Sequence, residues 1–303
     1  MTAGRLPGGE DWLGETMVLT AQCMRAFSVA ATVAALGFGA AFAGTLDKVS
    51  QDKTIRLAVR ADAPPFSYKA ANGDPAGFMV DLCRAVATGL AAQLHLDELK
   101  VEFVPVTAEN RFDAIESGKA DLLCEPTTET LSRREHVDFS IPTFVDGASL
   151  LIKGDGPSNL GALAGKKVGV LGGTTTEMSL RATLANDKIA AEVVPATSHE
   201  EGLKALENGA TAAYFADRAI LAFLAGKAAD ASQLRLANDY LSLEPYALAL
   251  PRGDEDFRLA VDRSLSHIYK SGGIAAVFAK TFGAQMQPSD TIKTLYLISA
   301  LPD

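Results

Sequence analysis

The chain has 303 residues, 48% of them hydrophobic and 21% charged, which excludes a disordered or collagen-like protein and leaves room for two domains or one large one. Its formal net charge of −9 argues against a nucleic-acid binder, which needs a basic footprint. The four histidines (His95, His136, His199, His267) stand too far apart for a zinc motif, and Cys23, Cys83 and Cys124 form neither a CxxC pair nor a disulfide-dense scaffold, so neither a metal nor a cofactor is expected.

From Met24 the chain reads MRAFSVAATVAALGFGAAFAG. Arg25 precedes an uncharged apolar run over residues 26–43 that closes on Ala41-Phe42-Ala43, followed by Gly44. A positive residue, an apolar run and a small-x-small ending make up a signal peptide, so export with cleavage between Ala43 and Gly44 is expected. The other reading of the run is a membrane anchor, for which it is at the short edge. Residues 1–23 carry Glu10, Asp11 and Glu15, a poor lead-in to such a signal, which places the expected translation start at Met24, with Met17 as the alternative. Residues 1–43 are thus read as an upstream extension plus a cleaved signal peptide. Export leaves Cys83 and Cys124 in an oxidising compartment, where a disulfide between them and two separate buried thiols are both open.

Residues 53–59 (KTIRLAV) alternate as a strand and run into the Pro64-Pro65 turn, and Asn72-Gly73 marks a hairpin. Apolar spacing at Phe78, Leu82, Val86 and Leu90 predicts a helix over 77–94. A strand over 101–106, a helix over 111–117, a strand over 120–124, a short helix over 129–135 and a strand over 148–152 follow. A second run begins with the strand KVGVL at 167–171, the Gly172-Gly173 turn and a helix over 174–184. Strands over 191–196 and 211–216 alternate with helices over 200–207 and from 217. A strand over 247–250 then leads to helices over 257–270 and 273–282. Strand–helix alternation predicts an α/β fold with largely parallel sheets, and the absence of a low-complexity linker predicts two lobes joined by crossing strands.

Three places in this pattern carry chemistry. Gly173-Thr174-Thr175-Thr176-Glu177 follows a strand and opens a helix; Thr174 and Glu177 have capping-box spacing, and the free N–H groups of that turn attract an anion. An ordinary capped helix explains the motif equally. Thr127-Thr128 through Arg133-Arg134 repeats the form with arginines, which hold a carboxylate by paired hydrogen bonds. Asp217 follows a strand where α/β sheets place ligand contacts, and a carboxylate there takes an ammonium group; its plain alternative is a helix N-cap.

These residues resemble family 3 solute-binding proteins, the periplasmic amino-acid receptors of ABC transporters. The resemblance runs over roughly residues 50 to 285. It rests on Pro64-Pro65-Phe66-Ser67-Tyr68 with Gly73 and Gly77-Phe78-x-Val80-Asp81-Leu82; on Arg111, Gly118-x-x-Asp121, Thr127-Thr128, Arg133 and Val137-Asp138-Phe139-Ser140; and on Gly173-Thr174-Thr175 and Ala216-Asp217. It implies a two-lobe periplasmic binding protein (type II) fold with a hinge of two crossing segments near Gly147 and Pro245-Tyr246. Lobe 1 would be residues 46–147 and 246–303, and lobe 2 residues 148–245. Arg133 would bind the α-carboxylate with help from Thr128, Thr174 and Thr175, Asp217 would take the α-ammonium, and Phe66 and Tyr68 would supply apolar walls. The resemblance further implies a periplasmic monomer that is not an enzyme, with an amino acid and the membrane permease as partners.

Within the family, the chain looks most like the glutamate/aspartate-binding branch, which matches Arg60, Arg111 and His199 to the ligand side chain. Two positions depart from that branch. Glu125-Pro126 stands where Gly-Ser is usual, bringing a negative charge near the site and removing a hydroxyl, and Ala108 replaces a serine. The expected ligand is therefore an L-amino acid, glutamate or aspartate or another polar one. The rival is a periplasmic arogenate/prephenate (cyclohexadienyl) dehydratase on the same fold, for which Glu125 and Glu177 are the candidate acids.

Overall fold

The computed structural model describes residues 44–302 apart from 158 and 239, so the expected signal peptide, the Ala43 side of its cleavage point and the upstream extension lie outside the described residues. Helix α1 (Thr45–Asp52) leads into β1 (Thr54–Arg60) and a small three-stranded sheet of β2 (Asp62–Ala63), β3 (Ser67–Lys69) and β4 (Pro75–Ala76). Then come α2 (Phe78–Gln93), β5 (Lys100–Val106), α3 (Arg111–Glu116), β6 (Leu122–Leu123), β7 (Val137–Phe139), β8 (Phe144–Asp146) and β9 (Ala148–Lys153). Next are β10 (Lys167–Leu171), α4 (Thr175–Asn186), β11 (Glu192–Ala196), α5 (His199–Glu207), β12 (Ala213–Asp217), α6 (Arg218–Lys227) and β13 (Leu234–Leu236). The chain ends with β14 (Glu244–Tyr246), β15 (Ala249–Pro251), α7 (Glu255–Lys270), α8 (Gly273–Phe282) and α9 (Asp290–Ser299).

Two five-stranded sheets organise these elements, in the orders β5-β1-β6-β15-β7 and β11-β10-β12-β9-β13. The joins β5-β1-β6 and β11-β10-β12 are parallel, while β15, β9 and β13 pair antiparallel. β1 and β10 are buried almost throughout, polar residues of β1 included, because both faces of a parallel sheet are covered. The predicted strand over 120–124 narrows to Leu122–Leu123, and the helix over 129–135 shrinks to a 3-10 turn at Arg133–Glu135.

The chain passes between the sheets twice, through β8 and through β14. These strands pair antiparallel, Phe144 opposite Tyr246 and Asp146 opposite Glu244. Gly147 follows β8 at a close approach: a Cβ there would lie 2.4 Å from the Ser242 carbonyl oxygen and 2.5 Å from Tyr240 Cδ1.

Cys83 on α2 and Cys124 after β6 are joined by a disulfide, which decides the alternative left open above. Phe66 corrects an expectation. It is fully buried, edge-on to Phe78, Phe144, Tyr246 and Phe282. A large ring in a pleated turn packs inward when four other rings are in reach, because each contact adds to burial. Tyr68 is also not a wall of the expected site; it packs against Phe223.

Candidate functional site

A narrow cleft lies where the carboxyl ends of β1, β10 and β12 face each other, lined by Arg60, Arg111, Pro126, Thr128, Arg133, Thr174, Thr175, Thr176, His199 and Asp217 with Leu171, Phe215, Ala216 and Ile220. It brings together every residue expected at the ligand except Phe66 and Tyr68. A larger groove lies between α2 and α7, but its lining holds one arginine, Arg263, and no carboxylate.

Three guanidinium groups define one side. Arg133 donates from Nη1 to the Thr128 carbonyl oxygen at 2.6 Å, which fixes its direction. Arg133 and Arg111 both lie against the Phe112 ring, at 5.3 and 4.9 Å from its centroid. Burial lowers the pKa of Arg133 to about 10, with the charge of Arg111 acting in the same sense. Arg111 is buried, its pKa also lowered by burial. Its partner is Glu125, with Nε 3.5 Å from Oε1. Arg60, at the end of β1, donates from Nε to Asp62 Oδ1 at 2.9 Å and holds Nη1 3.5 Å from Glu125 Oε2. Glu125 is completely buried, and Thr127 donates its hydroxyl to Oε1.

The opposite side carries Asp217. It stands in the N-cap position of α6, yet its side chain makes no cap bond. Asp146 does that work from β8, accepting from the Ala219 N–H at 3.0 Å. Asp217 instead accepts from the Tyr246 hydroxyl at 2.5 Å and from Thr176 Oγ1 at 3.2 Å, so its carboxylate is held toward the cleft. Burial raises its pKa to about 6, against the lowering effect of the Tyr246 hydrogen bond. Tyr246 and Asp146 went unnoticed as site residues because their roles depend on a pairing between strands about a hundred residues apart, and Thr176 because its partner Asp217 lies 41 positions on.

The start of α4 completes the lining. Thr174 caps the helix, accepting from the Glu177 N–H at 3.2 Å and donating to the Leu171 carbonyl at 2.7 Å. Its hydroxyl is therefore committed, and what this turn offers is the N–H groups of Thr175 and Thr176, which have no partner within the helix. Thr175 donates its hydroxyl to the buried Glu244 at 2.8 Å and meets Thr128 Oγ1 at 3.3 Å. Two further contacts join the two sides: Arg111 Nη2 to the Gly173 carbonyl at 3.5 Å, and the His199 N–H to Asp62 Oδ2 at 3.3 Å. His199, the first residue of α5, is buried. Its Nδ1 lies 2.9 Å from the Tyr214 hydroxyl, and burial, reinforced by the charge of Arg60, lowers its pKa to about 3. The ring is neutral and offers one donor and one acceptor.

Residues 55–284 match the family model of the bacterial extracellular solute-binding proteins, family 3. An L-glutamate/L-aspartate-binding protein of Pseudomonas aeruginosa is 32% identical over 81% of this chain and 82% of its own length. A glutamate/aspartate import solute-binding protein of Salmonella typhimurium is 30% identical over 85% and 89%. Among solved structures, an ancestral amino acid-binding protein described as a precursor of cyclohexadienyl dehydratase superposes with a TM-score of 0.69, at 30% identity over 78% of this chain and 99% of that one.

Proposed function

The chain belongs to the bacterial extracellular solute-binding proteins, family 3, and from that premise we propose that it captures an L-amino acid, glutamate or aspartate or another polar one, and delivers it to the permease of an ABC importer. One observation carries this reading: a guanidinium (Arg133) and a carboxylate released from helix capping (Asp217) line the same cleft. Opposite charges in one enclosed space suit the two ends of a zwitterion, since each buried charge must be paired. Thr128 and the first-turn N–H groups of α4 would share the α-carboxylate. Lobe 1 would comprise residues 46–147 and 246–303 and lobe 2 residues 148–245, closing about β8 and β14. The protein would work as a monomer in the periplasm, exported by the signal peptide read at residues 24–43.

The dehydratase reading shares its fold with the ancestral structure, itself an amino acid-binding protein, but its two candidate acids are engaged. Glu177 accepts from Arg181 at 2.8 Å and from the Gly173 N–H at 3.0 Å, and Glu125 is held by two arginines and Thr127. Neither is placed as a free general acid, and we take the protein to bind its ligand unchanged.

Calorimetric titration against the common L-amino acids is the test, with prephenate and arogenate turnover assayed beside it. Binding at micromolar affinity or tighter, about −8 kcal/mol, is expected for at least one of them. Arg133→Ala should weaken it by about 100-fold or more, because the ligand carboxylate loses a charge-assisted bond. Unchanged binding in that variant would sink the assignment.

A further inference from the structure

Glu125 is the anomaly of this site. It is a fully buried carboxylate that does not line the cleft but lies directly behind the two arginines that do. Its two oxygens face one guanidinium each, at 3.5 Å from Arg60 Nη1 and 3.5 Å from Arg111 Nε. Asp62 holds Arg60 as well. The side-chain end of the cleft therefore contains two cations and two anions, both anions supplied by the protein. Its walls are hydrogen-bonding but nearly charge-balanced.

Both guanidinium groups nevertheless line the cleft. The acceptors nearest to them are the protein's own carboxylates, Asp62 Oδ1 at 2.8 Å from Arg60 Nη2 and Glu125 Oε1 at 3.5 Å from Arg111 Nε. Neutral His199 adds one donor or one acceptor beside them. Such a subsite rewards a ligand group that accepts hydrogen bonds without bringing a charge. A third carboxylate would add to the negative charge of Glu125 and Asp62 on the same two arginines, in a medium of low dielectric where the repulsion is weakly screened.

Resting on the amino-acid reading above, we infer that Glu125 is a specificity-determining positioning residue. It cancels the charge of Arg60 and Arg111 from behind and sets the ligand as an amino acid with a carboxamide side chain, glutamine or asparagine, in preference to glutamate or aspartate. It touches the arginines and not the ligand, so its effect is read in relative affinities.

The experiment is calorimetric titration of the protein with the two near-isosteric pairs, glutamine against glutamate and asparagine against aspartate, repeated on Glu125→Gln. In the wild type the preferred amide should bind about tenfold or more tighter than its acid. In Glu125→Gln, which keeps an oxygen to accept from Thr127, the ratio should move toward the acid by about tenfold or more. Glutamate binding as tightly as glutamine in the wild type overturns the inference, as does an unchanged ratio in a variant shown to be folded by circular dichroism. Should the variant fail to fold, the wild-type pairs decide alone. Failure of every L-amino acid to bind would instead overturn the reading on which the inference rests.

Discussion

Asp217 shows how a single residue couples binding to pH. Its carboxyl has a pKa raised to about 6, chiefly because the site withdraws it from water. An α-ammonium group binds the ionised form, so affinity is full above that value and is lost as pH falls through it. Below about pH 6, each unit should cost up to about tenfold in affinity, with a proton released on binding. Titrations between pH 5 and 8 in buffers of different ionisation enthalpy would measure both. Asp146, raised to about 7 by burial and then by the charge of Asp217, titrates in the same range, so the fall should also be seen in Asp146→Asn. A flat profile would mean that Asp217 does not meet the ammonium. The position of Asp217 after a strand was legible in the sequence, but its freedom was not. The residue that relieves it of capping lies 71 positions away by number, on β8.

At the scale of elements, the link between α2 and β6 matters most. Cys124 precedes Glu125, Pro126, Thr127 and Thr128, so the disulfide to Cys83 anchors the segment that carries one side of the cleft. It closes a loop of 41 residues in the unfolded chain, which limits the entropy gained on unfolding. Replacing both cysteines by alanine should lower the free energy of unfolding by about 2–5 kcal/mol, and a reductant should shift the wild-type urea transition in the same direction. Coincident transitions with and without reductant would show that the disulfide carries no stability. Most elements were legible from periodicity and caps: the predicted strand over 167–171 and helix over 273–282 coincide with β10 and α8. α1, β2, β7, β8, β13, β14 and α9 went unread, and the five strands among them have two or three residues each, too few to show a period.

For the whole molecule, the decisive joint is the pair β8 and β14. Asp146 on β8 caps α6, Tyr246 on β14 holds Asp217, and Glu244 between them accepts from Thr175. The crossing is thus wired into both the cleft and the second sheet. A methyl group at Gly147 cannot fit without moving the backbone of Ser242. Gly147→Ala should therefore cost about 1–3 kcal/mol and also weaken ligand affinity. Gly226→Ala is the control: nothing lies within 4 Å of a Cβ there, and within a helix the change should stabilise by about 0.5–1 kcal/mol. Thermal melts with and without ligand would separate the two. Equal effects would remove the special place given to the crossing.

By itself the sequence determined the α/β alternation, most helix and strand positions, the family resemblance and nearly every charged residue of the cleft. Those features are local: a period, a cap or a motif is written in neighbouring residues. Only the tertiary structure decided which charges neutralise which. Arg60, Arg111 and Glu125 meet because sheet order brings β1 beside β6, and Asp217 faces the cleft because a distant strand caps its helix. Phe66 left the expected site for the core on the same ground, since its four partner rings come from separate parts of the chain. Electrostatic pairing and ring packing act through space, over distances that bear no relation to separation along the chain.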